Sequence, residues 1–128
     1  MAKERGLPGK QNRHLPAFLL LFLAKEDAHG GALWNRMSEI MPADCGVVDS
    51  GAVYRVLREL EERECVTSVW NTEEAGPAKR IYHITSKGFF ELNMWYNDIC
   101  LRKKNLDFFI EQYESMNRPE DSIEETDK

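Results

Sequence analysis

The sequence predicts a mainly α-helical chain carrying one small β-hairpin, on three observations. Apolar residues recur at three- and four-residue spacing in several separate stretches, the signature of helices with one inward face. Two short runs of strand composition, Val66 to Trp70 and Arg80 to Ile84, flank a polar loop that holds Gly76-Pro77 and a basic pair. A last stretch, Ser86 to about Met116, is long enough for one helix of ~46 Å at ~1.5 Å per residue. At 128 residues the length fits one domain with an appended helix.

Residues 1–14 are polar, with two glycines and a proline. They read as a flexible arm able to lay basic side chains along a polyanion, or as an ordinary mobile terminus. Leu15 opens the first helix, and Pro16 is acceptable at the first helical position because its missing N–H has no partner there anyway. Phe18 to Leu23 is apolar all round, which predicts a helix sandwiched between neighbours. Lys25 to Gly31 breaks it. Ala32 to Met41 is expected to be the second helix, with Leu33, Met37 and Ile40 inward and Trp34 and Arg36 off that stripe. Pro42 to Val48 connects to the third.

In the third helix Val53, Val56, Leu57 and Leu60 share one face, while Ser50, Tyr54, Arg55 and Arg58 share the other. Asp49 or Ser50 is placed to cap it with a side-chain oxygen. Two readings of Arg55 and Arg58 compete: contact with a nucleic-acid groove or phosphates, or a solvated face paired with Glu59, Glu61 and Glu62. The acidic run Glu59 to Glu64, broken only by Leu60 and Arg63, argues that the far half of this helix points away from any polyanion. On the second strand Tyr82 and Ile84 share the parity expected to face the core, and Ile81 and His83 share the other. Lys79 and Arg80 stand at the hairpin tip as phosphate or minor-groove candidates. A helix with an arginine-bearing face joined to a basic hairpin suits duplex DNA.

Thr85 is expected to cap the last helix. Leu92, Trp95, Ile99, Leu106, Phe109, Tyr113 and Met116 follow an alternating three–four spacing, interrupted at Arg102. Such a seam on a projecting helix packs on a partner helix, and the Arg102 to Asn105 interruption is a kink, a break into two helices, or a solvent-exposed stretch within one helix. The predicted organisation is therefore an arm over 1–14, a DNA-binding domain over 15–85, a dimerisation helix over 86–116 and an acidic tail over 117–128.

The net charge of −5 runs against a DNA partner until it is placed along the chain. Residues 117–128 carry a net of −3 and residues 1–13 a net of +3, and local fields decide where a phosphate backbone docks. Cys45, Cys65 and Cys100 are an odd, widely spaced set without zinc-ligand spacing, read most simply as buried or half-buried reduced thiols. No metal and no cofactor are expected. The longest apolar run, Pro16 to Ala24, is too short to span a bilayer, and no signal-peptide order precedes it. A soluble cytoplasmic protein without a membrane partner is the expectation. Neither a phosphate-binding glycine loop nor a histidine–carboxylate frame is present, so no enzyme and no catalytic residues are expected.

Ser50-Gly51-Ala52-Val53-Tyr54, Leu57, Leu60-Glu61, the run Gly76-Pro77-Ala78-Lys79-Arg80-Ile81-Tyr82-His83-Ile84-Thr85 and Gly88 together resemble the PadR family of transcriptional regulators. The resemblance covers about residues 15–95. It implies an N-terminal winged helix-turn-helix, a C-terminal helix that builds a homodimer, and binding of double-stranded DNA. Trp70-Asn71-Thr72 and Gly-Pro-Ala-Lys-Arg are also similar to a branch of polyhydroxybutyrate-responsive repressors. Where the family has tyrosine after Gly30, this chain has Gly31, which removes whatever that tyrosine contacts.

The expected function is a dimeric repressor on a palindromic operator, with half-sites ~34 Å apart, released by a small-molecule or polymer effector. Ser50, Gly51, Tyr54, Arg55, Arg58, Lys79 and Arg80 are the expected DNA contacts. Leu92, Trp95, Ile99, Leu106, Phe109 and Tyr113 are the expected dimer interface. Trp34, Phe90, Trp95 and Tyr96 are the expected lining of an effector pocket, for which the plainer reading of Trp95 is dimer core. The rival expectation is a winged helix that docks on a protein or polymer-granule surface without specific DNA binding.

Overall fold

A computed structural model describes residues 13–40, 49–72 and 76–116. The arm before residue 13, the end of the second helix at Met41, the 42–48 connection with Cys45, and the tail from 117 lie outside the described residues. The elements run α1 (Leu15–Lys25), β1 (Ala28–His29), α2 (Gly30–Ile40), α3 (Ser50–Glu62), β2 (Val66–Asn71), β3 (Lys79–Ile84) and α4 (Ser86–Ser115). The three strands form one antiparallel sheet in the order β1-β3-β2. Chain contacts divide the molecule into two units, one reaching through Asn93 and the other from Met94. The break falls inside α4, so the first turns of that helix belong to the head.

The core of the head is built as the apolar spacing predicts. Leu15, Ala17, Leu19, Leu20, Phe22 and Leu23 of α1 meet Leu33 and Met37 of α2 and Ala52, Val53, Leu57 and Leu60 of α3. Cys65, Val66, Tyr82 and Ile84 close it from the sheet side. The parity expected on β3 is observed: Tyr82 and Ile84 are buried, Ile81 is half-buried and His83 is exposed. Along α1, Leu21 is the apolar residue that stays exposed.

Three local expectations need correction. Ile40 ends α2 half exposed rather than inward, so the inner stripe of that helix stops at Met37. Asp49 is the N-cap of α3 by position, but its side chain makes no capping bond. Its backbone carbonyl instead accepts from the Ala52 and Val53 N–H groups. The third correction is β1, a two-residue strand inside the segment read only as a helix break. Ala28 pairs with Tyr82 and His29 with Ile81. Two residues show no periodicity, and their strand character comes from the β3 edge that they cover. His29 also serves α2, because its Nδ1 accepts the Ala32 N–H at 3.2 Å in the manner of an N-cap.

The end of α3 is a Schellman motif. Cys65 N–H donates to the Leu60 carbonyl and Glu64 N–H to the Glu61 carbonyl, with Glu64 at φ 66° in the left-handed position where glycine is usual. From this turn the chain is tied to the start of α4. The Thr85 hydroxyl donates to the Glu64 carbonyl at 2.7 Å and accepts the Gly88 N–H at 3.0 Å, the capping role expected of it. Gly88 is buried, and a Cβ there would collide with the Cys65 carbonyl oxygen. Arg63 forms a two-pronged pair with Glu91, at 3.2 and 2.7 Å. The same carboxylate accepts the Cys65 thiol at 3.2 Å. The hydrogen bond to Glu91 raises the Arg63 pKa and holds the guanidinium charged. Burial, reinforced by Glu91, pushes the Cys65 thiol up and keeps it protonated.

Beyond Asn93, α4 continues without a break through Arg102–Asn105, so the interruption in the apolar spacing is an exposed stretch of one helix and not a break into two. Arg102 pairs with Asp98 and Lys103 with Asp107, each one helical turn away. These charges replace apolar residues on a continuous helix.

Candidate nucleic-acid interface

The outer face of α3 follows from its burial. With Ala52, Val53, Leu57 and Leu60 inside, helical geometry turns Ser50, Gly51, Tyr54, Arg55 and Arg58 outward, and all five are exposed. Arg55 and Arg58 enter no ion pair among the described residues, so the expected alternative of pairing with Glu59, Glu61 or Glu62 does not occur there. Glu61 is instead held by the sheet, accepting the Ser68 hydroxyl at 2.9 Å. The cationic end of α3 is thereby left uncommitted.

The wing is β2, β3 and the loop between them. Trp70 lies directly across from Arg80, and Asn71 from Lys79. Arg80 has the parity of Tyr82 and Ile84, and Trp70 that of Val66, so both belong to the core-facing side of the sheet but lie past the edge of the core. Their side chains stack, with the guanidinium carbon 5.3 Å from the ring centroid. Burial pushes the Tyr82 hydroxyl up, and the neighbouring Arg80 opposes that shift. Lys79 and Arg80 are both exposed.

Helix and wing meet in a cleft of about 540 Å³. Tyr54, Trp70, Tyr82, Lys79 and Arg80 line it together with the backbone of Gly30. Among the described residues no aspartate or glutamate lines it. The Tyr54 ring lies against Gly30 so closely that a Cβ at that position would collide with it. Gly31 also lines the cleft, at the position where the family resemblance implies a tyrosine.

Of the seven expected contacts, this geometry places five on one helix face and brings Tyr54, Lys79 and Arg80 to one cleft. Trp70, His29 and Gly30 were not among them. A usable signal existed for Trp70, which shares the parity of Val66 at the end of the first strand run. None existed for His29, whose role depends on β1.

The other expected sets lie elsewhere. Leu92, Trp95 and Ile99 are half-buried within the chain, whereas Leu106, Phe109 and Tyr113 are exposed. Trp34 is half-buried, while Phe90 and Tyr96 are 66% and 64% exposed. None of the four residues expected to line an effector pocket borders the Tyr54–Trp70 cleft. Among the described residues, no cluster of three or more His, Cys, Asp or Glu side chains is placed to hold a metal ion, and no helix is long and apolar enough to cross a membrane.

Comparison with known proteins agrees with this architecture. Residues 19–93 match the model of the transcriptional regulator PadR-like family. A solved structure of a protein described as a potential transcriptional factor is 30% identical, with a TM-score of 0.69 over 84% of this chain and 94% of that one. A PadR family transcription regulator from Clostridium difficile, 19% identical, superposes with a TM-score of 0.66 over 76% of this chain and 98% of that one. Bacillus subtilis PadR in complex with operator DNA, also 19% identical, gives 0.56 over 66% of this chain and 48% of that one. No curated protein matches in sequence. The winged head, the three-stranded sheet and the long C-terminal helix are those of a class of transcription regulators. The chain belongs to the PadR-like family.

Proposed function

We propose that the protein is a sequence-specific DNA-binding regulator that acts as a homodimeric repressor on a two-fold operator. The observation that carries this is the continuity, among the described residues, of an arginine face of α3 that enters no ion pair with a cleft against the wing that no carboxylate lines. In this reading α3 enters the major groove through Ser50, Gly51, Tyr54, Arg55 and Arg58, and Lys79 and Arg80 hold the adjacent backbone. The operator complex of the Bacillus subtilis relative supports the docking mode by analogy of fold. The homodimer forms through α4, whose Leu106, Phe109 and Tyr113 are apolar and exposed in a single chain. An effector, a small molecule or a polymer such as polyhydroxybutyrate, releases the operator by binding unequally to two spacings of the heads. The compartment that this activity needs is the cytoplasm.

The test is selection from a random duplex pool at near-physiological salt. The expected result is a two-fold site with half-sites ~34 Å apart, lost from the pool when Arg55 and Arg58 are replaced by alanine. The rival reading, a winged head that docks on a protein or granule surface through the apolar residues of α4, predicts no enriched duplex with either protein.

A further inference from the structure

We propose that the cleft between α3 and the wing seats a single sugar-phosphate unit of the DNA backbone, with Trp70 as the positioning residue that holds Arg80 over it. The inference rests on the DNA-binding reading and adds a site to it. Trp70 is 61% exposed on the wing, an unusual place for a large aromatic with no core to fill. What it does touch is Arg80, its cross-strand neighbour, whose guanidinium lies 5.3 Å from its ring centroid. A free arginine tip samples many rotamers, and stacking on a ring removes most of them before a phosphate arrives. Tyr82 stands on the same face of β3 as Arg80 and shares the cleft with it, a second neighbour for the guanidinium.

The cleft has the chemistry of its occupant. Among the described residues that line it two are cations and none is a carboxylate, which favours an anion. Tyr54 and Trp70 supply apolar ring surface, which selects something with a non-polar body beside its charge. A phosphodiester with its deoxyribose has both. The cleft also opens where α3 meets the wing, the position that a backbone strand must cross if the helix lies in the groove. Gly30 keeps the Tyr54 ring seated against the backbone.

The experiment uses the full-length chain and the duplex that the wild type selects, with affinity measured across a salt series. Trp70→Ala is expected to weaken binding about five-fold and to flatten the dependence of log affinity on log salt by about one phosphate contact. Trp70→Phe keeps a ring under Arg80 and is expected to retain both affinity and slope. Arg80→Ala should reproduce the slope change, and adding Trp70→Ala to it should leave the slope where Arg80→Ala set it. Thermal melting should be unchanged for Trp70→Ala, since the side chain is exposed. Wild-type binding with Trp70→Ala unaltered in affinity and slope, while Arg80→Ala loses both, would overturn the inference and leave the DNA-binding reading intact. A wild type that selects no duplex would overturn both.

Discussion

Arg58 and Arg63 lie five positions apart, one inside α3 and one at its C-cap, and they have opposite fates. Arg63 is locked by two hydrogen bonds to Glu91 and helps tie the end of α3 to the start of α4. Arg58, like Arg55 before it, is exposed and enters no ion pair among the described residues. The two regions of the head therefore use one residue type for two purposes. At the rear, charge is neutralised within the chain and joins elements together. At the front, charge is left without a partner among the described residues, the condition under which a cation can exchange water and counterions for phosphate. Sequence proximity would have assigned both arginines to one solvated, salt-bridged face.

The sharpest way to break this comparison is to damage the rear alone. Gly88→Ala places a methyl group against the Cys65 carbonyl oxygen, which belongs to backbone and cannot swing aside. A loss of about 3 kcal/mol in unfolding free energy is expected, as for overpacked core sites, and denaturant titration measures it. Damage to the front should act on binding instead. Arg58→Ala should cost about 2 kcal/mol of affinity if the guanidinium reaches a base edge, with the melting curve shifted by less than about 0.5 kcal/mol. A fluorescence-anisotropy titration beside a thermal melt separates the two. The smallest effect belongs to the rear pair. Arg63→Ala should lose about 1 kcal/mol of stability, because the arginine side chain is 47% exposed and solvent screens the pair. Its effect on affinity for the selected duplex should be within error.

Much of this division is legible in the residues and some of it is not. The apolar spacings locate α1, α2, α3 and α4 to within a residue or two where both ends are described, and the strand runs locate the wing. They succeed because each element buries one regular face. The parity of Tyr82 and Ile84 follows from the same period-two geometry. What escapes is whatever depends on a neighbour distant in sequence. β1 is a strand only because Tyr82 and Ile81 lie beside it. His29 becomes a cap only after β1 ends. The pairing of Arg63 with Glu91, 28 residues apart, has no local signal, and without it the free state of Arg55 and Arg58 could not be distinguished from a surface ion-pair lattice. The stack of Arg80 on Trp70 needs the hairpin register, which the Gly76-Pro77 turn signal alone does not set.

The comparison also bears on the net charge. A chain at −5 can hold a polyanion when its acids are occupied or lie away from the interface. Glu91 is occupied by Arg63 and by the Cys65 thiol, Glu61 by Ser68, and Glu64 by Lys87 at 3.3 Å. Among the described residues that line the cleft there is no acid.

A salt series of affinities for the selected duplex, taken with wild type, Arg58→Ala and Arg63→Ala, separates the two arginines. Arg58→Ala should weaken binding by about 2 kcal/mol, while Arg63→Ala should superpose on wild type at every salt concentration and melt earlier. Equal losses of affinity from both substitutions, or a loss from Arg63→Ala alone, would contradict this separation.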